Sequence, residues 1–238
     1  MNLAGSVALV TGANRGLGAR LVAELLRAGA AKVYATSRTP GAITAGSADS
    51  RIHALVLDVT DPARVTDAAA TAPDVNVLVN NAGVLAFGSA LEGDLTSFER
   101  DLRTNYLGTL RVTRAFAPVL GRNTPAAVVN VLTIIALAPA GAMAGYCASK
   151  AAAHSITQAL RAELRDRGIT VLGAYPGSID TDMLAGVEMD KAPPEVVAER
   201  IVAGLAAGET TVFPDDASAS AGSVYLSDPL KFERLLAG

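Results

Sequence analysis

The chain has 238 residues, half of them apolar, with a formal net charge of −3, a single cysteine and no tryptophan. That length and apolar content suit one domain with a large core. The charge balance, with no cluster of Lys or Arg, argues against nucleic acid or an anionic membrane as partner, and a lone Cys147 excludes an internal disulfide.

In chain order, short β-branched runs alternate with longer helical patterns, which predicts a parallel sheet covered on both faces. Strands are expected at Ser6–Val10, Lys32–Thr36, Ile52–Leu57, Val75–Val79, Ala126–Leu132, Ile169–Ala174 and Thr210–Phe213. Helices are expected at Leu17–Ala28, which Gly29 ends, at Thr96–Leu120, at Gly145–Arg167, at Pro194–Ala207 and at Pro229–Leu236. Thr39–Ser50, rich in Gly, Ala and Ser, reads as a loose connection. Met183–Pro193 mixes Met, Leu, Gly and charges before a helix and reads as a substrate flap. No repeat or linker divides the chain. The expectation is α/β, a single doubly wound Rossmann-type domain over 1–238 with a parallel seven-stranded sheet.

The uncharged stretch Asn123–Ser149 contains Pro125, Asn130, Pro139, Gly141 and Gly145, so it reads as strand, loop and helix start rather than a membrane span. With no basic start of a signal peptide, a cytoplasmic protein is expected.

Two stretches carry chemistry. In Thr11-Gly12-Ala13-Asn14-Arg15-Gly16-Leu17-Gly18, three glycines follow a strand and open a helix, where a pyrophosphate can approach the backbone N–H groups. An NAD site wants an acid roughly ~20 residues on. Here the second strand ends in Ser37-Arg38, with no acid between Glu24 and Asp49, and Arg15 sits inside the loop. A hydroxyl and planar guanidinium forks suit a 2′-phosphate, so NADP(H) is favoured. Far downstream, Tyr146 and Lys150 are four apart, on one helix face, where an ammonium can favour the phenolate. An unassisted Tyr titrates near ~10, too high for efficient proton exchange at neutral pH. An oxidoreductase follows.

These residues resemble the short-chain dehydrogenase/reductase family, in its shorter branch, from residue 5 to about 213. The resemblance assigns Gly12, Arg15, Gly16, Leu17 and Gly18 to the cofactor loop. Asp58-Val59 resembles the pair bracketing the adenine, and Asn80 with Ala82 and Gly83 the segment that steadies the central sheet beside the adenosine ribose. Pro176, Gly177, Ile179 and Thr181 are similar to the stretch that holds the nicotinamide carboxamide. It implies that Tyr146 is the general acid, that Lys150 lowers its pKa and holds the nicotinamide ribose, and that the Asn105 backbone holds a relay water near Lys150. The fourth member of the family's catalytic set, a serine thirteen residues before the tyrosine, is Thr133 here. Thr keeps the hydroxyl but adds a methyl, so a narrowed substrate scope is expected. The C-terminus departs from the relatives whose glycine-rich tail helps build a tetramer; pairing through the two long helices points to a homodimer or homotetramer.

The stretches Leu85–Phe87, Ile134–Met143 and Met183–Met189 are expected to line the substrate pocket. None contains Arg or Lys, which favours a hydrophobic ketone or aldehyde and its alcohol, reduced by a carbonyl reductase. His53 and His154 lack Cys or acidic neighbours at ligand spacing, so no metal is expected. An epimerase of the longer branch would need about a hundred further residues. A non-enzymatic NADP(H)-binding sensor or interaction protein is the alternative, disfavoured because Tyr146 and Lys150 are both present.

Overall fold

The computed structural model describes residues 1–43 and 49–237. Residues 44–48 of the expected loose connection lie outside the described residues. Seven parallel strands, β1 (Val7–Val10), β2 (Lys32–Ser37), β3 (Ile52–Val56), β4 (Val77–Asn80), β5 (Ala126–Val131), β6 (Ile169–Ala174) and β7 (Thr211–Val212), form one sheet in the order 3-2-1-4-5-6-7. All pairs are parallel. This is a single Rossmann-type α/β domain.

One face is covered by α1 (Gly16–Arg27) and α6 (Pro194–Ala207), whose Leu21, Leu25, Ile201 and Leu205 are buried against Val10, Val33 and Val129. The other carries α2 (Pro62–Thr71), α4 (Thr109–Arg122) and α5 (Ala144–Leu164), with Val65, Phe116, Leu120 and Leu160 on Leu9, Leu78 and Val128. Each fully buried Leu or Ile contributes roughly 2 kcal/mol, so both faces are needed for the central strands to stay apolar throughout. Among the described residues, no helix is long and apolar enough to cross a membrane.

The expected helix Thr96–Leu120 is interrupted. It is α3 (Leu95–Asp101), then a π-helical stretch at Leu102–Gly108, then α4. The widened turn carries Asn105, and such insertions in helices concentrate at functional sites. Two helices were not foreseen. One is α2, although its start is written in Asp61-Pro62: the Asp61 carboxylate accepts from Ala63 N (2.8 Å) and Arg64 N (3.3 Å). The other is α7 (Asp216–Ser227), whose small residues lack helical apolar spacing. Asp215 and Ser218 cap it reciprocally.

After α7, α8 (Pro229–Ala237) turns back, and Phe232, Val224 and Tyr225 pack on Ile134, Leu137 and Ala138. This corrects part of the expected pocket lining. Ile134, Ala136 and Ala138 are buried, and Ile134 and Ala138 pack beneath the C-terminal helices rather than lining an open cleft. Leu85 and Ala86 stay partly exposed, whereas Phe87, Met183 and Met189 are exposed.

Candidate active site

The strand order reverses between β1 and β4, and the C-terminal ends of these strands open a crevice where open α/β sheets bind ligands. β1 delivers Thr11, whose hydroxyl oxygen accepts from Asn81 N and Ala82 N, both at 2.9 Å. Asn81 in turn donates through Nδ2 to the carbonyls of Thr11 (2.9 Å) and Gly12 (3.1 Å). The glycine loop is therefore tied to the end of β4. Gly12 and Gly16 have φ of +64° and +53°, and a Cβ at Gly18 would lie 2.6 Å from Asn81 Nδ2. Only glycine tolerates these places. The Leu17 side chain is packed in the core. No side chain caps α1 and its first turn holds no acid, so its N–H donors suit a pyrophosphate. Thr11 and Asn81 lie inside the quoted motifs but were not singled out. Their role is to hold backbone, which residue type alone does not announce.

Farther along the edge, Ser37 closes β2 and donates to Thr39 O (2.7 Å), while Arg38 beside it is exposed. Arg15, expected to face a phosphate, instead pairs with Asp182 (2.9 Å), both side chains exposed. Asp58 is engaged in its own turn, accepting from Thr60 N (2.8 Å) and Thr60 Oγ1 (2.7 Å). Val59 is buried, and its carbonyl accepts from Arg111 (2.7 Å). The side chain of Asn80 does not face the crevice. It donates to Thr113 Oγ1 (2.9 Å) and Asn130 Oδ1 (2.8 Å), and Asn130 donates to Thr157 Oγ1 (2.9 Å). This buried seam joins α4, β4, β5 and α5 and fixes the register Asn80–Asn130.

The four residues expected to do chemistry come from three elements. Thr133 follows β5, and Tyr146 and Lys150 lie on α5. Asn105 lies on the π-helical stretch and is held on both edges: Oδ1 accepts from Val84 N (2.9 Å), and Nδ2 donates to Val84 O (2.8 Å) and Ser149 Oγ (2.9 Å). A Cβ placed on Gly83 would be 3.2 Å from Asn105 Oδ1 and 3.7 Å from Lys150 Nζ, which shows how closely these three gather. Phe98 on α3 lies against Gly88, Gly93 and Gly145, and its ring occupies the space a Cβ at Gly145 would need. The residue before Tyr146 must therefore be glycine for α3 and α5 to approach.

Lys150 is buried, donates to Val131 O (2.8 Å), and lies 5.9 Å from the centroid of the Tyr146 ring. Burial brings its pKa down to about 8, partly opposed by the Asp101 charge. The expected lowering of the Tyr146 pKa by Lys150 meets an opposing effect in this structure. Burial drives the phenol well above its ordinary value, with smaller contributions from Cys147 and Asp101. Desolvation of the phenolate outweighs an ammonium that stands beside the ring rather than at the hydroxyl. Thr133 is buried, and its hydroxyl donates to Pro176 O at 3.3 Å, a long contact.

Pro176–Thr181 runs past these residues. Gly177 N donates to Asp215 Oδ2 (2.8 Å), Ile179 bridges Ala192, and Thr181 Cγ2 stands 3.3 Å from a Cβ placed on Gly16. His154 Nδ1 and Tyr175 OH share a hydrogen bond of 2.7 Å next to this segment, a packing role. Cys147 is buried and points at Ala140 O. Among the described residues, no group of three or more His, Cys, Asp or Glu could hold a metal ion.

Comparison with known proteins adds the decisive observation: the family model described as short chain dehydrogenase matches residues 6–192. The chain belongs to the short chain dehydrogenase family. It is accordingly a nicotinamide-dependent oxidoreductase. A short chain dehydrogenase from Burkholderia cenocepacia J2315 in complex with NADP is similar over 100% of both chains, at 35% identity and a TM-score of 0.94. A 3-ketoacyl-(acyl-carrier-protein) reductase from Brucella melitensis complexed with NADH is 27% identical, with a TM-score of 0.81, over 89% of this chain and 96% of that one. A 3-alpha-(or 20-beta)-hydroxysteroid dehydrogenase of Mycobacterium bovis is 33% identical over an alignment of 239 positions that covers 95% of this chain and 89% of its own length.

Proposed function

We propose that this short chain dehydrogenase is an NADP(H)-dependent carbonyl reductase that reversibly converts a hydrophobic ketone or aldehyde into its alcohol. The reading is supported by Asn105 and Lys150 converging on Gly83, by Tyr146 one turn before Lys150 on α5, and by Thr133 just past the C-terminal end of β5, the end of the sheet that also carries the glycine loop. When bound, the nicotinamide supplies or accepts a hydride. Tyr146 then gives its proton to the carbonyl oxygen as alkoxide character develops. A phenol held above its ordinary pKa keeps its proton until that stronger base forms, which suits a proton donor in the reductive direction. Thr133 turns its hydroxyl from the distant Pro176 carbonyl to the substrate oxygen, and its methyl narrows the space there. Lys150 supports the phenol and binds a ribose hydroxyl, and Asn105 holds the relay water.

Cofactor choice is argued from this chain, since relatives are complexed with NADP in one case and NADH in another. Ser37 and exposed Arg38 meet the 2′-phosphate. Arg15 retains guanidinium donors beyond its contact with Asp182. Gly12, Gly16, Leu17, Gly18, Ala82, Gly83, Asp58, Val59, Pro176, Gly177, Ile179 and Thr181 line the remaining cofactor path, mostly through backbone. Asn80 acts there as a sheet brace. The segment 183–193 is the substrate flap: Ile179 and Ala192 pinch its base, and Met183 and Met189 offer adaptable apolar surface. Pairing of copies as a homodimer or homotetramer would use the groove between α4 and α5 lined by Ala117, Pro118, Leu160 and Leu164.

The test is NADPH oxidation against a panel of hydrophobic ketones and aldehydes, with NADH in parallel. Turnover that prefers NADPH and falls by roughly 10²–10⁴ in Tyr146→Phe is expected. Equal or better use of NADH would remove the Ser37/Arg38 argument. Tight NADPH binding without turnover on any carbonyl would move the reading to a sensor.

A further inference from the structure

Between Gly83 and Gly88 the chain crosses from the turn beside Lys150 to the start of the helix that carries Tyr146. A Cβ on Gly83 would stand 3.7 Å from Lys150 Nζ. At the far end Gly88 N donates to Ala142 O (2.8 Å), and Gly88 O accepts from Ala144 N (3.1 Å). Along this strap alternate N–H groups turn inward: Val84 N to Asn105 Oδ1 (2.9 Å), Ala86 N to Asp101 Oδ2 (3.0 Å) and Gly88 N to Ala142 O. That is the period of an extended strand, with side chains standing in for a partner strand at two of the three places. Leu85 N and Phe87 N find no acceptor among the described residues. Phe98, Asp101 and Asn105, three and four residues apart, present one helix face to the strap, with Phe98 packed on Gly88. Asp101 is wholly buried, and besides Ala86 N its side chain has only a long contact with Arg100 (3.4 Å). A carboxylate is costly to bury, and the short hydrogen bond of this one goes to the strap.

We propose that Asp101 is a positioning residue that sets substrate specificity: by holding Ala86 N–H it fixes the strap Val84–Gly88, and with it Leu85 and Phe87, at the edge of the carbonyl site. The inference deepens the reductase reading and rests on it. Asn105 and the Ala142–Ala144 segment hold the two ends of the strap, so its middle is the part that Asp101 alone secures. Phe87, next to the held residue, is 56% exposed and Leu85 partly so, which leaves both apolar side chains free to meet a hydrophobic substrate. Asp101 itself touches neither substrate nor cofactor and acts through the backbone. Its carboxylate fixes the direction of one peptide plane, and the side chains on either side of Ala86 follow. A ketone small enough to be held at Tyr146 and Thr133 does not need the strap, whereas a bulky one does.

The test compares a small ketone with a bulky hydrophobic one in NADPH oxidation, alongside hydrogen exchange at the Ala86 amide. Asp101→Ala should raise KM for the bulky ketone about tenfold, the factor expected for one hydrogen bond, with kcat and the small-ketone KM within about twofold. Asp101→Asn, which keeps a side-chain oxygen of the same reach, should hold the wild-type KM ratio, and Arg100→Gln, on the exposed rim, should not disturb it. An Asp101 that merely supports the fold would instead lower stability and the rates on both ketones together. That result, or an unchanged KM ratio in Asp101→Ala, would overturn the proposal. If Asp101→Ala does not fold, the wild-type amide carries the test. Corrected for intrinsic rates, Ala86 N–H should exchange at least about tenfold more slowly than the N–H groups of Leu85 and Phe87, and equal rates would overturn the proposal. Exchange does not depend on turnover: Ala86 protection lost in Asp101→Ala, in a protein whose wild type reduces no carbonyl, would refute the reductase reading and the specificity role with it, and leave only the anchor.

Discussion

Asp215 joins the last tenth of the chain to the segment expected to hold the nicotinamide, and its removal has a calculable cost. Its carboxylate accepts from Gly177 N, Ser218 N and Ser218 Oγ, each at 2.8 Å. In Asp215→Ala, α7 loses its N-cap, which costs about 1 kcal/mol. Gly177 N–H is left half-buried without its acceptor, a further loss of roughly 1–2 kcal/mol. Ser218 Oγ still reaches Asp215 O (3.0 Å), so the hydroxyl adds little. The total is about 2.5 kcal/mol. A 238-residue domain unfolds with an entropy of about 0.5 kcal/mol/K, so Tm should fall by about 5 °C. Circular dichroism melts and urea titration measure this directly, and NADPH titration should show weaker binding as Gly177 loses its anchor. The control is Asp216→Ala, whose side chain is exposed and pairs only with Arg200 (2.7 Å); it should change stability by less than about 0.5 kcal/mol. An Asp215→Ala protein that melts within about 1 °C of wild type, or no lower than the Asp216 control, would refute the reasoning.

Other outcomes follow from the same geometry. Gly145→Ala forces a methyl into the Phe98 ring and should destabilise by about 1–3 kcal/mol in urea unfolding, with partial rescue by Phe98→Leu. Lys150 has a folded pKa of about 8 against an ordinary 10.5, so the penalty of its buried ammonium is fully present below pH 8. Between about 8 and 10.5 the unfolded chain holds the extra proton and stability rises with pH by a few kcal/mol at most, a slope that Lys150→Met should abolish in urea titrations across that range. Arg38→Ala should raise the NADPH KM at least about tenfold and leave the NADH KM nearly unchanged, as loss of a charge-assisted phosphate contact predicts. Thr133→Ser should retain turnover and admit bulkier ketones, whereas Thr133→Ala should lower kcat by about 10²-fold, measured on the same carbonyl panel.

Much of this protein is local in origin and was legible residue by residue. Alternating β-branched and helical runs named all seven strands to within two residues at either end, because an apolar period of two or of 3.6 is set by backbone geometry. The glycine loop and the Tyr146–Lys150 spacing were equally local, each confined to a few residues of one strand–turn–helix or one helix face. α7 escaped because its small residues carry no such period, and its helix begins from a reciprocal cap between Asp215 and Ser218. The π-helical turn at Leu102–Gly108 escaped because its cause is tertiary: Asn105 must reach both Val84 and Ser149.

Direction and burial were decided only when distant segments met. Asn80 reads from its motif as a residue that steadies the sheet, but only the fold supplies the partners that do it, Thr113 and Asn130. Ile134 and Ala138 read as pocket lining until α7 and α8 close over them. The Lys150 side chain lies beside the Tyr146 ring as its spacing requires, but whether an ammonium lowers a phenol depends on how much water both have lost, and burial here wins. Sequence by itself determined which groups this chain possesses and the turn or face each occupies, since those follow from bonded geometry. The tertiary structure decided which of them are dry, which are paired and what their charges are worth, since desolvation and Coulomb energies depend on neighbours that the chain brings from far away.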